Sequence, residues 1–291
     1  MKIILAKNRG FCSGVKRSIR LAEKALAEIS GPIYILNDIV HNQAVIDNLK
    51  QKGLVRVDDA NKVKTGTLVI SAHGIPRNII TEAKVRGLDV IDTTCPLVYR
   101  IHDTAKGLID SGYVVILFGD PGHDEVKGIR TVDPDNIHIL DSIDDINDLP
   151  QFVKPIAFIS QSTRSIAEFD KTAERLRQRY GSVRVENTIC RATRLRQESI
   201  HQLAKQVESV IVVGSKTSAN SNRLVEAALS HGIKAYLIDN ADELNTAWLD
   251  GIENLGVTSG ASTPEDLVDE VLAKIKNIAL AGGIEVEITE L

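Results

Sequence analysis

The chain of 291 residues holds three cysteines, Cys12, Cys95 and Cys190. An odd number of thiols with no CxxC pair is a poor disulfide framework and a poor zinc ribbon. Three thiolates on one centre would select zinc or an iron–sulfur cluster and leave a coordination position open. Zinc held by three cysteines and a histidine competes with that reading. Three buried thiols packing as small hydrophobes is the plainest alternative.

Spacing bears on the choice. A polar turn with His41, His123 or Ser218 follows the three cysteines by 29, 28 and 28 residues. A second polar turn, with His73, Ser162 or Ser262, follows by 61, 67 and 72 residues. One cysteine at the same place in every third is hard to explain by packing. Neutral polar side chains and strand-end backbone N–H groups suit a diphosphate without a dense Lys/Arg patch. His41, His73, His123, Ser218, Asn220 and Ser262 are the candidates; singly, each would be an ordinary turn former or helix cap. Glu125 in GHDEVKG stands two residues after His123. It is a candidate proton donor, or an acid favoured at a helix start. His102, His138, His201 and His231 fall outside the register, and no catalytic role is expected of them.

The elements that must position these groups alternate. PIYIL (32–36), YVVILFG (113–119) and SVIVVG (209–214) are apolar runs followed by polar turns and amphipathic segments. Such runs alternating with helices predict parallel sheets covered on both faces. A short strand follows in each third (55–57, 137–140, 235–238), then a longer one running into the second polar turn (67–74, 156–163, 254–262). Strands 88–95 and 183–190 lead into Cys95 and Cys190; MKIILAK leads to Cys12, and 284–290 takes the corresponding place in the last third. The expected fold is α/β, with three similar units in a pseudo-threefold trefoil. The units are 14–95, closed by segments 1–13 and 281–291, then 96–190 and 191–280. Ligands would bind beyond the carboxyl ends of the strands.

Composition narrows the function. A net charge of −4 gives no basic face for nucleic acid. No apolar run reaches the roughly 18 residues of a membrane span, and the N-terminus turns polar too early for a signal peptide. A cytoplasmic location is expected. No GxGxxG follows a strand, so no nicotinamide or flavin site is expected.

RGFCSGV (9–15), VHN (40–42), SAHG (71–74), DTTCPLV (92–98), GHDEVKG (122–128), VVGSK…SNRL (212–224) and GVTSGAS (256–262) stand in this order along the chain. In these motifs it resembles the 4-hydroxy-3-methylbut-2-enyl diphosphate reductases, the LytB family, over essentially its whole length. The resemblance implies one 4Fe–4S cluster on Cys12, Cys95 and Cys190, with one iron open to the substrate hydroxyl. It implies diphosphate binding by His41, His73, His123, Ser218, Asn220 and Ser262, with Thr163 beside them. Catalytic roles fall to Glu125 as proton donor, with His123 and Ser162. The implied reaction is reductive removal of the allylic hydroxyl, giving isopentenyl and dimethylallyl diphosphate in the non-mevalonate isoprenoid pathway. The electrons would come from an external donor such as a ferredoxin or flavodoxin.

Some positions depart from the family's usual pattern. Asp124 stands where GHPEV has proline, which predicts a less rigid turn. Ser162 replaces a threonine, and Ala219 replaces a serine. Arg191 and Arg194 place positive charge close after Cys190. Asp124, Ala219 and Arg194 favour a second reading, a paralogue with the same cluster acting on another allylic or anionic substrate. A third is a non-enzymatic cluster or zinc protein that senses redox state, against which Glu125 and the three histidines stand.

Overall fold

The computed structural model describes residues 1–291. Strands are β1 (Lys2–Leu5), β2 (Ile33–Leu36), β3 (Leu54–Val57), β4 (Thr67–Ile70), β5 (Asp89–Asp92), β6 (Val114–Phe118), β7 (Ile137–Leu140), β8 (Ile156–Ser160), β9 (Val183–Val185), β10 (Ser209–Val213), β11 (Lys234–Ile238), β12 (Asn254–Ser259) and β13 (Glu287–Glu290). Helices are α1 (Ser13–Glu28), α2 (Gln43–Gln51), α3 (Arg77–Val85), α4 (Pro96–Asp110), α5 (Asp124–Arg130), α6 (Ile166–Tyr180), α7 (Arg191–Leu203), α8 (Ala219–Leu229) and α9 (Glu265–Ala281). No helix is long and apolar enough to cross a membrane.

The strands form three parallel sheets, ordered β3-β2-β4-β5, β7-β6-β8-β9 and β11-β10-β12-β1-β13. The apolar runs read from the sequence are their central strands. In β10, Val210 and Val212 pack into one cluster and Ile211 and Val213 into another, so both faces of the sheet are covered. That two-sided burial is why the strand is continuously apolar. In every sheet the order reverses between the first strand and the third: β2 and β4, β6 and β8, β10 and β12. Such a switch point leaves a crevice at the carboxyl ends, where α/β sheets bind ligands.

One expectation is corrected. Segments 1–13 and 281–291 were expected to close the first unit; instead β1 and β13 join the sheet of β10, β11 and β12. Residues 191–280 supply three strands where the other thirds supply four. The open edge of β12 is filled by β1, in register from Lys2 beside Asn254 to Leu5 beside Val257. β13 then pairs with the outer side of β1. Strand 1 therefore occupies the place that β5 and β9 hold beside β4 and β8, and β13 is an added fifth strand. By compactness the chain divides into Met1–Ser13 with His41–Val45 and Arg191–Leu291, and Gly14–Val40 with Ile46–Cys190.

The ends of β10 and β12 approach α8 closely. A Cβ on Gly214 would lie 2.4 Å from Ser221 Oγ, and one on Gly260 2.2 Å from the same atom. Ser221 is fully buried, so its hydroxyl is wedged between the two backbones. Gly260→Ala is expected to lose about 1–3 kcal/mol by overpacking. Adding Ser221→Ala should recover most of that loss, as read from urea midpoints of the single and double variants.

Candidate active site

Each cysteine ends a strand-to-helix turn and is held by the same bond. The Cys95 N–H donates to the carbonyl of Ala72, that of Cys190 to Ser162, and that of Cys12 to Ala261, each at 3.0 Å. All three acceptors lie two residues beyond the adjacent strand, β4, β8 or β12. The thiols are half-buried, and each is followed at once by a helix, whose N-terminal partial charge favours an anionic group there. Threonine side chains buttress two of the turns. Thr93 Oγ1 donates to the Ile70 carbonyl at 2.5 Å and Thr188 Oγ1 to that of Ser160 at 2.6 Å.

The third turn is braced differently. Gly10, at φ 70°, donates its N–H to Ser259 Oγ at 2.7 Å. Its carbonyl accepts Arg196 Nη2 at 2.5 Å. Arg9 spans Glu265 and Glu290 at 2.9 and 2.5 Å, with Nη1 also on the Ala6 carbonyl. The sequence reading missed Arg9 and Arg196. The signal for Arg196 was an arginine two turns into α7 on its buried face, where a charge needs a specific partner.

In the unit of residues 46–190, α5 carries the chemistry. His123 caps the helix, its Nδ1 accepting the Glu125 N–H at 3.1 Å. That bond leaves the proton of the neutral ring on Nε2. The His73 and His123 rings meet edge to face with centroids 5.2 Å apart. Glu125 is 2% exposed. Its Oε1 accepts the Ser162 N–H and its Oε2 the Ser162 hydroxyl, both at 2.7 Å. Burial pushes the Glu125 carboxyl above its ordinary value, against the two Ser162 bonds, which pull it down. The neighbouring Thr163 hydroxyl is buried without a partner.

Two sequence expectations shift here. By distance from the strand ends, His73 and Ser262 correspond to Thr163, one residue beyond Ser162. Ser162 instead holds Glu125. The rigidity of the turn before α5 also rests on more than position 124. Pro121 sits inside an Asp120-to-His123 turn closed by a 3.1 Å backbone bond, and Asp120 Oδ1 accepts the Gly122 N–H at 2.7 Å. Proline at the second position of such a turn fixes its backbone.

In the unit that contains residues 191–291, Ser218 caps α8, accepting the Ser221 N–H. Ser218, Asn220 and Ser262 are nearly buried, and Asn220 Nδ2 has no partner. An orphaned buried amide at a helix N-terminus is what an anion site leaves when its ligand is absent. Ser262 Oγ donates to the His41 carbonyl at 2.9 Å, while Asn42 rather than His41 caps α2 through the Val45 N–H. Arg191 and Arg194 are both exposed on the first turns of α7. His102 is buried with neither ring nitrogen partnered. Burial, helped by Arg77, lowers its pKa to about 4, so it is a neutral packing residue.

The Glu125 shift has a stability consequence. Its folded pKa lies above the unfolded value, so its contribution is fully present below the ordinary carboxylate range and is lost as pH rises through the raised value. Thermal melts from pH 4 to 8 are expected to show Glu125→Gln gaining on the parent as pH rises. A constant difference would contradict the raised value.

The LytB protein family model matches residues 3–276. A protein of Xanthomonas oryzae pv. oryzae (strain PXO99A) is 39% identical, covering 99% of this chain and 94% of its own length. One of Actinobacillus pleuropneumoniae serotype 5b (strain L20) is 42% identical, covering 97% and 92%. Both carry the name 4-hydroxy-3-methylbut-2-enyl diphosphate reductase. Among solved structures, the E-1-hydroxy-2-methyl-but-2-enyl-4-diphosphate reductase of Plasmodium falciparum superposes with a TM-score of 0.94 at 30% identity, over 99% of this chain and 92% of its own. A second, described as (E)-4-hydroxy-3-methyl-but-2-enyl diphosphate reductase, the terminal enzyme of the non-mevalonate pathway, gives 0.70 at 34% identity, over 95% and 99%.

Proposed function

This chain belongs to the LytB family, and from that we propose that it reduces 4-hydroxy-3-methylbut-2-enyl diphosphate to isopentenyl and dimethylallyl diphosphate. The observation that carries the reading is Glu125, a buried carboxyl whose protonated form burial favours, held at both oxygens by Ser162. Two electrons and two protons are consumed. The allylic C–O bond breaks, a C–H bond forms, and the hydroxyl leaves as water.

Cys12, Cys95 and Cys190 would hold a 4Fe–4S cluster. The donor set fits: three half-buried soft thiols on three turns that share one backbone hydrogen bond, with no fourth cysteine in the chain. When bound, such a cluster supplies electrons and an open iron that acts as a Lewis acid on the hydroxyl. An external one-electron donor of the ferredoxin or flavodoxin kind would feed it. Thiols that form no disulfide suit a reducing compartment, which supports the cytoplasm.

The remaining work falls to the chain's own side chains. The Ser162 N–H can only donate to Oε1, so when Glu125 is protonated its proton falls to Oε2, and the Ser162 hydroxyl, which donates to the ionised carboxylate there, turns to accept. That hydroxyl can accept it and pass its own proton on toward the departing oxygen. His123 fixes the first turn of α5 through its capping bond. With His41, His73, Asn220, Ser218, Ser262 and Thr163, it would bind the diphosphate without lysine or arginine. The buried, unpartnered Asn220 amide and Thr163 hydroxyl support that role.

Anaerobic turnover with a reduced viologen, with iron and sulfide counted in the same sample, tests the proposal. Reconstituted protein is expected to turn over, and Glu125→Gln to lose about 10²–10⁴-fold in kcat with its iron content unchanged. Ser162→Ala should lose kcat with little change in KM, and Asn220→Ala should raise KM. An intact cluster without turnover would point to another allylic or anionic substrate. Zinc in place of iron would overturn the reductase reading.

A further inference from the structure

Asn37 is the one residue other than glycine with a positive φ, at 60°. Side chains with a Cβ avoid this region, and asparagine is tolerated there because its short amide can bond locally. In this protein the amide reaches away from its own loop. Nδ2 donates to Asp124 Oδ2 at 2.9 Å. The Asn37 N–H meanwhile donates to the Val57 carbonyl at 2.8 Å, so pairing with β3 runs on past the end of β2. The left-handed turn at Asn37 therefore lets the strand continue while its side chain leaves the sheet for the first residue of α5.

Asp124 stands between His123, which caps α5, and Glu125. Its carboxylate also faces the exposed Lys127 ammonium at 3.7 Å, a looser pair that solvent weakens. The bond from Asn37 is shorter and charge-assisted. It ties the sheet of β2 to the helix start that carries the proton donor. Strained backbone persists where the surroundings over-determine it, and such sites gather where geometry matters to function.

We propose that Asn37 is a positioning residue for the reaction: through Asp124 it sets the first turn of α5 and so the placement of Glu125. This rests on the reading of Glu125 as the proton donor. Neither Asn37 nor Asp124 is assigned a part in the chemistry.

The test uses cluster-loaded enzyme with a reduced viologen and 4-hydroxy-3-methylbut-2-enyl diphosphate. Asn37→Gly keeps the backbone conformation and removes the amide. Asn37→Asp sets two carboxylates against each other. The reciprocal double variant, Asn37→Asp with Asp124→Asn, restores an amide–carboxylate bond with the roles exchanged, and aspartate also tolerates the left-handed region. Both single variants are expected to lose about tenfold in kcat with KM within about twofold, as small misplacements of a reacting group do. The double variant should regain most of the loss suffered by Asn37→Asp. Melting temperatures of all variants, read beside the rates, separate a fall in folded fraction from a fall in kcat. Full kcat in Asn37→Gly, a change confined to KM, or a double variant no faster than Asn37→Asp would each overturn the inference. Glu125→Gln is run in parallel. If it retains activity, the proton-donor reading fails; if it is inactive while Asn37→Gly is fully active, only the inference about Asn37 fails.

Discussion

A cysteine backbone N–H donating at 3.0 Å to a carbonyl two residues past the neighbouring strand occurs three times in this protein, and the placement of each thiol depends on it. The bond sets each thiol at the carboxyl edge of a parallel sheet and starts a helix directly after it. Parallel strands are what make this repeatable, because they put all their carboxyl ends on one edge. The accessory bonds differ from turn to turn, with threonine hydroxyls in two and Arg196, Ser259 and the Arg9 ion pairs in the third. Conserving a backbone position evidently leaves freedom in how it is buttressed.

The second constraint is electrostatic. Glu125 accepts from a backbone N–H and a neutral hydroxyl, and no cationic group figures among the causes of its shift. An arginine against it would hold the carboxylate ionised; neutral partners let burial prevail. The proposed diphosphate residues likewise include no lysine or arginine. Their donors are hydroxyls, amides and imidazoles near helix starts, which suits a chain of slightly negative net charge.

The repeat was legible because strand, turn and cysteine recur at nearly constant distance, and because strands buried on both faces are continuously apolar. His41, His123 and Ser218 each prove to lie five residues past β2, β6 and β10. Three things were not legible. The place of β1 beside β12 depends on an edge left open some 250 residues away, which no local pattern reports. The distinction between Ser162 and Thr163 needed the strand ends, since a one-residue shift changes which side chain faces the helix. Asp124 was read for the proline it replaces and as a mark of another substrate, whereas Pro121 stands in the same turn and Asn37 engages the carboxylate.

The pairing of β1 with β12 also bears on the order in which the protein can assemble. Cys12 leaves the ribosome about 250 residues ahead of Ser259 and Ala261, to which its turn is anchored. At about 5–20 residues per second, those partners emerge roughly 12–50 s later. Until then the first thiol rides on an unanchored segment, while the turns of Cys95 and Cys190 can already close on carbonyls made before them. The turn of Cys12 is thus braced only once residues 259–261 have been made, so a shorter nascent chain can hold at most two of the three thiols in place.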